Sequence, residues 1–515
     1  MQSVSCKWLL LSFLFLSWAH SALAVDGLRN GDTKVRGVNL GGWLVIEGFI
    51  TPSLFKNIPR ADMLDGAKVR FQSWSSNKYV SAHEGGDSGV VTVDRIDPKE
   101  WETFRLWRVS ELEYQLRTHN GQFLSCDGEG ASASTKSGSP SSTETFSIVR
   151  WKENKVHIKL SSGTYLQASS ENELKADYPA GADPGWDDNN AAIFRMTFVS
   201  NMEGDYQLGN AYGREEAKRV IDNHRSSFVT QQDFEFLSAE KINTVRIPVG
   251  WWIKDDSKPE GPEYPYVGGS SAYLQKALDW AQAYEIKFII DLHAAQGSQN
   301  GMDHSGSRDD SIEWPSYTEQ TLEVIEFLAS NYGKHPALLG IELLNEPHAP
   351  QISLDVLKPY YLKAYEIVRK YSLDTAYVII CQRLNTLHSF EIYNANELKG
   401  LSNLVVDFHF YNLYTDFFKN ISPSESIQYI NKQRRQQVDS LNAANGPIVF
   451  VGEWVNSFER SASLTEYQDL SKAQLEVYGS ASFGWAYWTL KTETFQFQDW
   501  DLKKNIEKKI LQLYR

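Results

Sequence analysis

Cysteine is scarce: three residues in 515, one of them Cys6 near the start, which leaves Cys126 and Cys381. Two isolated thiols in separate segments exclude a disulfide framework and supply no paired-cysteine metal knuckle. Beyond residue 24 no apolar run reaches the roughly 18 residues that a membrane-spanning helix needs. Basic residues are also in deficit, 51 Lys and Arg against 65 Asp and Glu. That balance argues against nucleic acid and against anionic surfaces as partners. No Walker or dinucleotide glycine pattern follows a strand, no GxSxG elbow ends one, and no HExxH stands on a helix. Neither a cofactor nor a metal is therefore expected.

Aromatic residues, by contrast, are plentiful: 16 Trp, 25 Tyr and 25 Phe, or 13% of the chain. Flat side chains pack cores, and they also stack on sugar rings. The first 24 residues carry Lys7, the apolar run "WLLLSFLFLSWAHSALA" and an Ala22-Leu23-Ala24 ending, the features of a secretory signal. A secreted, extracellular or cell-wall protein follows as the expectation, a monomer with no membrane association once the signal is removed. The triplet Asn420-Ile421-Ser422 makes Asn420 a candidate glycosylation acceptor.

One region is internally repetitive. "VRFQSWSSNKYVSA" at Val69, "YQLRTHNGQFLSC" at Tyr114 and "VHIKLSSGTYLQAS" at Val156 each read as strand, polar turn, strand, with an aromatic at Tyr79, Phe123 or Tyr165. Each unit closes on a further Phe (Phe104, Phe146, Phe194), and the period is about 45 residues. Three units of four short strands predict a β-trefoil over residues 62–200, since no one unit buries its own apolar face. Outside it, eight apolar β-type runs start at Val35, Asn243, Lys287, Leu338, Ala376, Leu404, Pro447 and Gly484, with amphipathic stretches between them. About 350 residues arranged this way predict an α/β fold, a (β/α)8 barrel built from residues 25–61 and 201–515 and interrupted after its first strand by the trefoil.

In such barrels the chemistry sits at the carboxyl ends of the strands. The polar residues there are Asn39, Arg246, His293, Asn345 with Glu346, His409 with Tyr411, Glu453, and Trp488 with Lys491. Glu346 and Glu453 end the fourth and seventh runs and so face each other across the mouth. Two opposed carboxyls are what glycosidic cleavage needs: one protonates the leaving oxygen while the other meets the developing cation. Glu342, deeper on the same face, is read as structural. A bare carboxylate at Glu453 is costly to bury, so Arg246 and Tyr411 are expected beside it. The alternatives are a helix-dipole role for Glu346, an internal salt bridge for Arg246, and metal ligation by His293 and His409.

The blocks "RGVNLGGWLVIEGFITPSLF", "INTVRIPVGWW", "DLHAAQGSQNG", "GIELLNEP", "VGEW" and "GWAYWTLKTE", in that order, resemble glycoside hydrolase family 5, and in particular its exo-β-1,3-glucanase-like branch. The repeats are similar to fascin-like domains, and the combination resembles plant members carrying such an insert. The resemblance implies that Glu346 is the acid/base and Glu453 the nucleophile of a retaining double displacement. It also implies that Glu47, Arg246, His293, Asn345, His409, Tyr411 and Trp488 surround the sugar, with Asn345 on its 2-hydroxyl. It further implies hydrolysis of β-linked oligo- or polysaccharides or β-glucosides. Gly48 and Leu490 stand where the fungal pattern has Pro and Trp, which weakens the expectation of β-1,3 preference. Before attack the proton of the carboxyl pair is expected on Glu346. A transglycosidase with the same site, or a non-catalytic glycan-binding or wall-scaffolding protein, are the alternative functions.

Overall fold

Runs of aliphatic and β-branched residues, buried on both faces, form eight parallel strands that close into one barrel. They are β1 (Val35–Asn39), β2 (Thr244–Gly250), β3 (Lys287–Ala294), β4 (Leu338–Glu342), β5 (Tyr377–Cys381), β6 (Leu404–His409), β7 (Ile448–Glu453) and β8 (Gly484–Tyr487). The computed structural model describes residues 33–513 except 137, 188, 256–264, 387–389, 444–445 and 495–498. The expected signal, residues 1–24, lies outside the described residues. No described helix is long and apolar enough to cross a membrane.

Alternation along the strands separates two environments. On β2 the side chains of Val245, Ile247 and Val249 join the large core shared with the surrounding helices, which include Ser270–Ala283, Thr318–Tyr332 and Leu354–Tyr371. Inside the barrel, Val35, Ile289, Leu339, Ile379, Val405 and Phe450 form a second apolar cluster near the amino ends of the strands. Polar side chains occupy the layer above this plug, so the carboxyl-terminal mouth has a dry floor.

Twelve short antiparallel strands, from Lys68 to Ser200, lie in sequence between β1 and β2. Six of them close a ring: Lys68–Ser73 pairs Phe104–Arg108, then Glu113–Arg117, Thr145–Arg150, Lys155–Leu160 and Phe194–Ser200, which returns to the first. The other six make three hairpins that start at Tyr79, Phe123 and Tyr165. This is a β-trefoil, and the expected pivots Phe104, Phe146 and Phe194 are wholly buried in its core. Ser200 pairs with Lys68, so the entry and exit of the insert lie side by side.

Candidate active site

Arg246 organises the mouth. Fully buried on β2, its guanidinium donates from Nε and Nη2 to Glu342 (2.7 and 3.1 Å), from Nη1 to Asn39 Oδ1 (2.9 Å) and Glu453 Oε1 (3.0 Å), and from Nη2 to Asn345 Oδ1 (2.9 Å). Asp291 lies 3.2 Å away. A planar fork with five donors suits such a hub, whereas an ammonium would reach fewer partners. The internal salt bridge and the contact to Glu453 are therefore one and the same device. One cation does not offset so many buried carboxyls. Burial is the main cause that raises Glu342 to about 8 and Asp291 to about 7.

Glu453 is the last residue of β7, and a register shift decides where it points. Asp407 pairs with Phe450 but His409 with Glu453, two residues of β6 against three of β7. Such a bulge turns the strand and re-aims a side chain. Gly452 permits it, because a Cβ there would sit 1.9 Å from Asp407 Oδ2. Tyr411 Oη then donates to Glu453 Oε2 at 2.7 Å, so both partners expected beside this carboxylate are present.

Glu346 departs from expectation in position. The apolar run predicts a fourth strand ending at Glu346, but β4 stops at Glu342 and Glu346 follows on a loop with φ of +44°. A non-glycine residue held in the left-handed region costs about 1 to 3 kcal/mol and is common at functional positions. His409 Nδ1 donates to Glu346 Oε1 at 2.6 Å and lies 3.4 Å from Glu453 Oε2. Glu346, His409 and Glu453 offer atoms that all lie within 4.8 Å of one another.

The protonation order is the reverse of the one expected. Burial would raise Glu346, but the charge and hydrogen bond of His409 outweigh it and hold this carboxyl at about 2. Burial, reinforced by Glu346, pushes Glu453 up to about 8. The pair thus holds one proton near neutral pH, and His409 stands between its two carboxyls.

His293 and Trp488 complete the wall, stacked at 5.3 Å with 10° between their planes. His293 Nδ1 bonds Asp291 Oδ2 at 2.6 Å, which leaves Nε2 as the other polar atom of the ring. Asn345 Nδ2 is buried with no partner among the described residues. Glu47 accepts from the Gly42 amide at 3.0 Å, and burial followed by the charge of Asp303 raises it well above the carboxylate range. All nine residues expected around the site, Glu47, Arg246, His293, Asn345, Glu346, His409, Tyr411, Glu453 and Trp488, occupy this mouth. Lys491 does not, since it pairs with Asp233 at 2.8 Å. Asn420 ends the exposed helix Asp416–Asn420 away from these contacts.

Sequence reasoning missed Asp291, Asp407 and His304. The first two were legible as a doubled pattern, Asp291-Leu292-His293 and Asp407-Phe408-His409, in which alternation puts acid and imidazole on one face. His304 carried no such signal. It stands on a loop after β3, with Nε2 3.8 Å from Glu346 Oε2 and its ring 5.1 Å from that of His293.

Metal-type groupings exist here but are otherwise employed. The atoms of Glu346, His409 and Glu453 are hydrogen-bonded to one another or to Tyr411 and Arg246, whose fixed charge opposes a second cation. Cys381, near Glu342 and His409, has a thiol that burial raises to about 12, so it stays a protonated and poor ligand.

Comparison with known families decides the class. Residues 210–494 match the model for cellulase (glycosyl hydrolase family 5). The chain belongs to glycoside hydrolase family 5. This family 5 hydrolase is similar to the glucan 1,3-beta-glucosidase of Pichia angusta, 28% identical over 343 residues, covering 58% of this chain and 77% of that one. It is also similar to the probable glucan 1,3-beta-glucosidase A of Aspergillus fumigatus, 31% identical over 327 residues, covering 56% and 76%. Its fold resembles the rutinosidase of Aspergillus niger, with a TM-score of 0.50 at 20% identity over 59% of this chain and 88% of that one. Residues 60–199 of the hydrolase match a domain of unknown function, DUF7910.

Proposed function

We propose that this family 5 enzyme is a secreted retaining β-glycosidase that acts on β-glucans, β-gluco-oligosaccharides or β-glucosides. One observation carries the mechanism: oxygens of Glu346 and Glu453 approach within 4.8 Å. Inverting enzymes keep their carboxyls roughly 6.5 to 9.5 Å apart to admit a water, whereas retaining ones hold them at about 5 to 5.5 Å. The relatives named as glucan 1,3-beta-glucosidases support the substrate class.

In this reading Glu453 attacks the anomeric carbon. Arg246 and Tyr411 donate to its two oxygens and stabilise it as the anion once its proton has passed to Glu346. The relay is His409 Nδ1, which contacts both carboxyls. Protonated Glu346 gives that proton to the leaving oxygen, and a glycosyl ester forms on Glu453. Glu346 then takes a proton from water as it attacks the same carbon, and the ester breaks with configuration retained. Asn345 Nδ2, buried without a partner among the described residues, meets the 2-hydroxyl, a contact that strengthens as positive charge builds on the ring. Glu47 and His293 receive other hydroxyls and Trp488 supplies the apolar face. Kinship of the trefoil with fascin-like domains and glycosylation at Asn420 belong to the same proposal.

The test is a panel of aryl β-glycosides and defined β-gluco-oligosaccharides, run with the native protein and Glu453→Ala. Turnover is expected from the native enzyme and a loss of roughly 10^4-fold or more from the variant, with its circular dichroism unchanged. A folded variant within tenfold of native overturns the assignment.

A further inference from the structure

The trefoil does more than hang beside the barrel. The loop after β3 runs from the mouth to the insert: Asp303 lies near Glu47 and His304 near Glu346, and Arg308, Asp309 and Asp310 stand against the trefoil. Asp309 is wholly buried and accepts from Trp107 Nε1 at 2.6 Å and Arg117 Nη1 at 2.7 Å, both trefoil residues. Among the described residues its other hydrogen-bond partner is Ser311 within the same loop. Asp310 pairs with Arg105 at 2.5 Å and with Lys68. Arg308 lies 3.7 Å over the Trp107 ring and reaches Asp65 at 2.9 Å.

The exit of the insert grips the other side of the pocket. Gly48 donates its amide to the Glu203 carbonyl at 2.8 Å, Glu47 bridges Gly204, and Ile46 donates to Asp205 at 2.7 Å. A Cβ on Gly204 would stand 2.6 Å from the Asp303 carbonyl, and one on Gly66, at the entry, 2.2 Å from the Arg308 carbonyl. Backbone packed this closely transmits displacement, because interiors have little free volume.

We propose that the trefoil sets the geometry of the catalytic mouth, and that His304 is the positioning residue through which it acts on Glu346 and the bound sugar. This rests on the family 5 site described above. His304 is largely buried, and its Nδ1 has no partner among the described residues. Burial and the neighbouring His293 hold it neutral, with a pKa of about 4. It is thus an uncharged group whose place beside Glu346 depends on the loop. Removing Arg117 strands the Asp309 carboxylate in a buried position, and the loop must shift to hydrate it. A displacement of about 1 Å at a positioning group lowers rate by as much as about a hundredfold.

The experiment compares Arg117→Met, Trp107→Phe and His304→Ala with the double variant Arg117→Met/His304→Ala, all in the full-length protein. Trp151→Ala, at an exposed position between the second and third repeats, is the control. At 25 °C, far from unfolding, kcat/KM is expected to fall about tenfold or more in each of the three single variants and to stay native in the control. The double variant should be no worse than His304→Ala alone. Hydrogen exchange over residues 298–313 should quicken in Arg117→Met whether or not a substrate is in hand. Exchange at the native rate overturns the brace, and quickened exchange with kcat/KM within twofold of native overturns its role in turnover. Multiplicative losses in the double variant overturn the route through His304. A fully active Glu453→Ala refutes instead the reading of the site on which this rests, and leaves the exchange result standing.

Discussion

Tyr411 and Arg246 divide the two oxygens of Glu453 between them, one neutral donor and one fixed charge. A hydrogen bond to an ionised group contributes about 1.5 to 3 kcal/mol. Tyr411→Phe should therefore lower kcat/KM roughly ten- to hundredfold without altering the fold, which steady-state kinetics and circular dichroism together check. Residues of this kind were legible in the sequence because each ends or adjoins an apolar run, where the barrel places its chemistry. What stayed hidden was the hub. Arg246 reads as one charge among many until four strands and a loop converge on it, and the protonation of Glu346 and Glu453 follows from that convergence. Burial raises Glu342, Asp291 and Glu453 alike, and a single imidazole that holds Glu346 down reverses the order expected for the pair.

Among the elements, β7 shows most clearly what a linear pattern omits. Strict alternation after Phe450, which faces the barrel interior, would turn Glu453 outward toward the helices. The bulge opposite His409 returns it to the mouth, and Gly452 is the residue that makes room. Gly452→Ala should press its methyl into the Asp407 carboxylate, displace Glu453 and abolish turnover. A Gly452→Ala enzyme with native kinetics would show that the bulge does not depend on this contact. The eight strands and the twelve of the insert were otherwise readable, since apolar runs and a period near 45 residues depend only on local composition. The end of β4 was not, because Leu343 and Leu344 prolong the apolar run beyond the last ladder pair at Glu342.

For the whole molecule, the buried titratable groups set how stability follows pH. Glu342 and Asp291 are raised, chiefly by burial, from 4.5 and 3.8 to about 8 and about 7. Each keeps its proton in the folded chain after the unfolded chain has lost it. Their contribution is complete below about pH 4 and disappears as pH climbs through about 8. His224 and His304 act in the opposite sense: lowered by burial from 6.5 to about 4, they contribute above about pH 6.5 and lose it as pH falls through 4. The thermal midpoint should therefore decline from about pH 6.5 towards pH 9, and Glu342→Gln should flatten that decline. A midpoint that rises over this interval would contradict the assignment of the buried protons. The placement of the trefoil belongs to this scale as well. The repeats announce its fold, whereas its grip on the Glu47 and His304 loops arises from two distant segments meeting, which no local signal records.

The close approach of Glu346 and Glu453 favours a double displacement, and following the anomeric proton of the first product by NMR during hydrolysis of a β-glucoside or β-gluco-oligosaccharide decides between this and a single displacement. The β-anomer should appear first and mutarotate afterwards. Initial release of the α-anomer would mean a single displacement by water and would overturn the nucleophile role of Glu453.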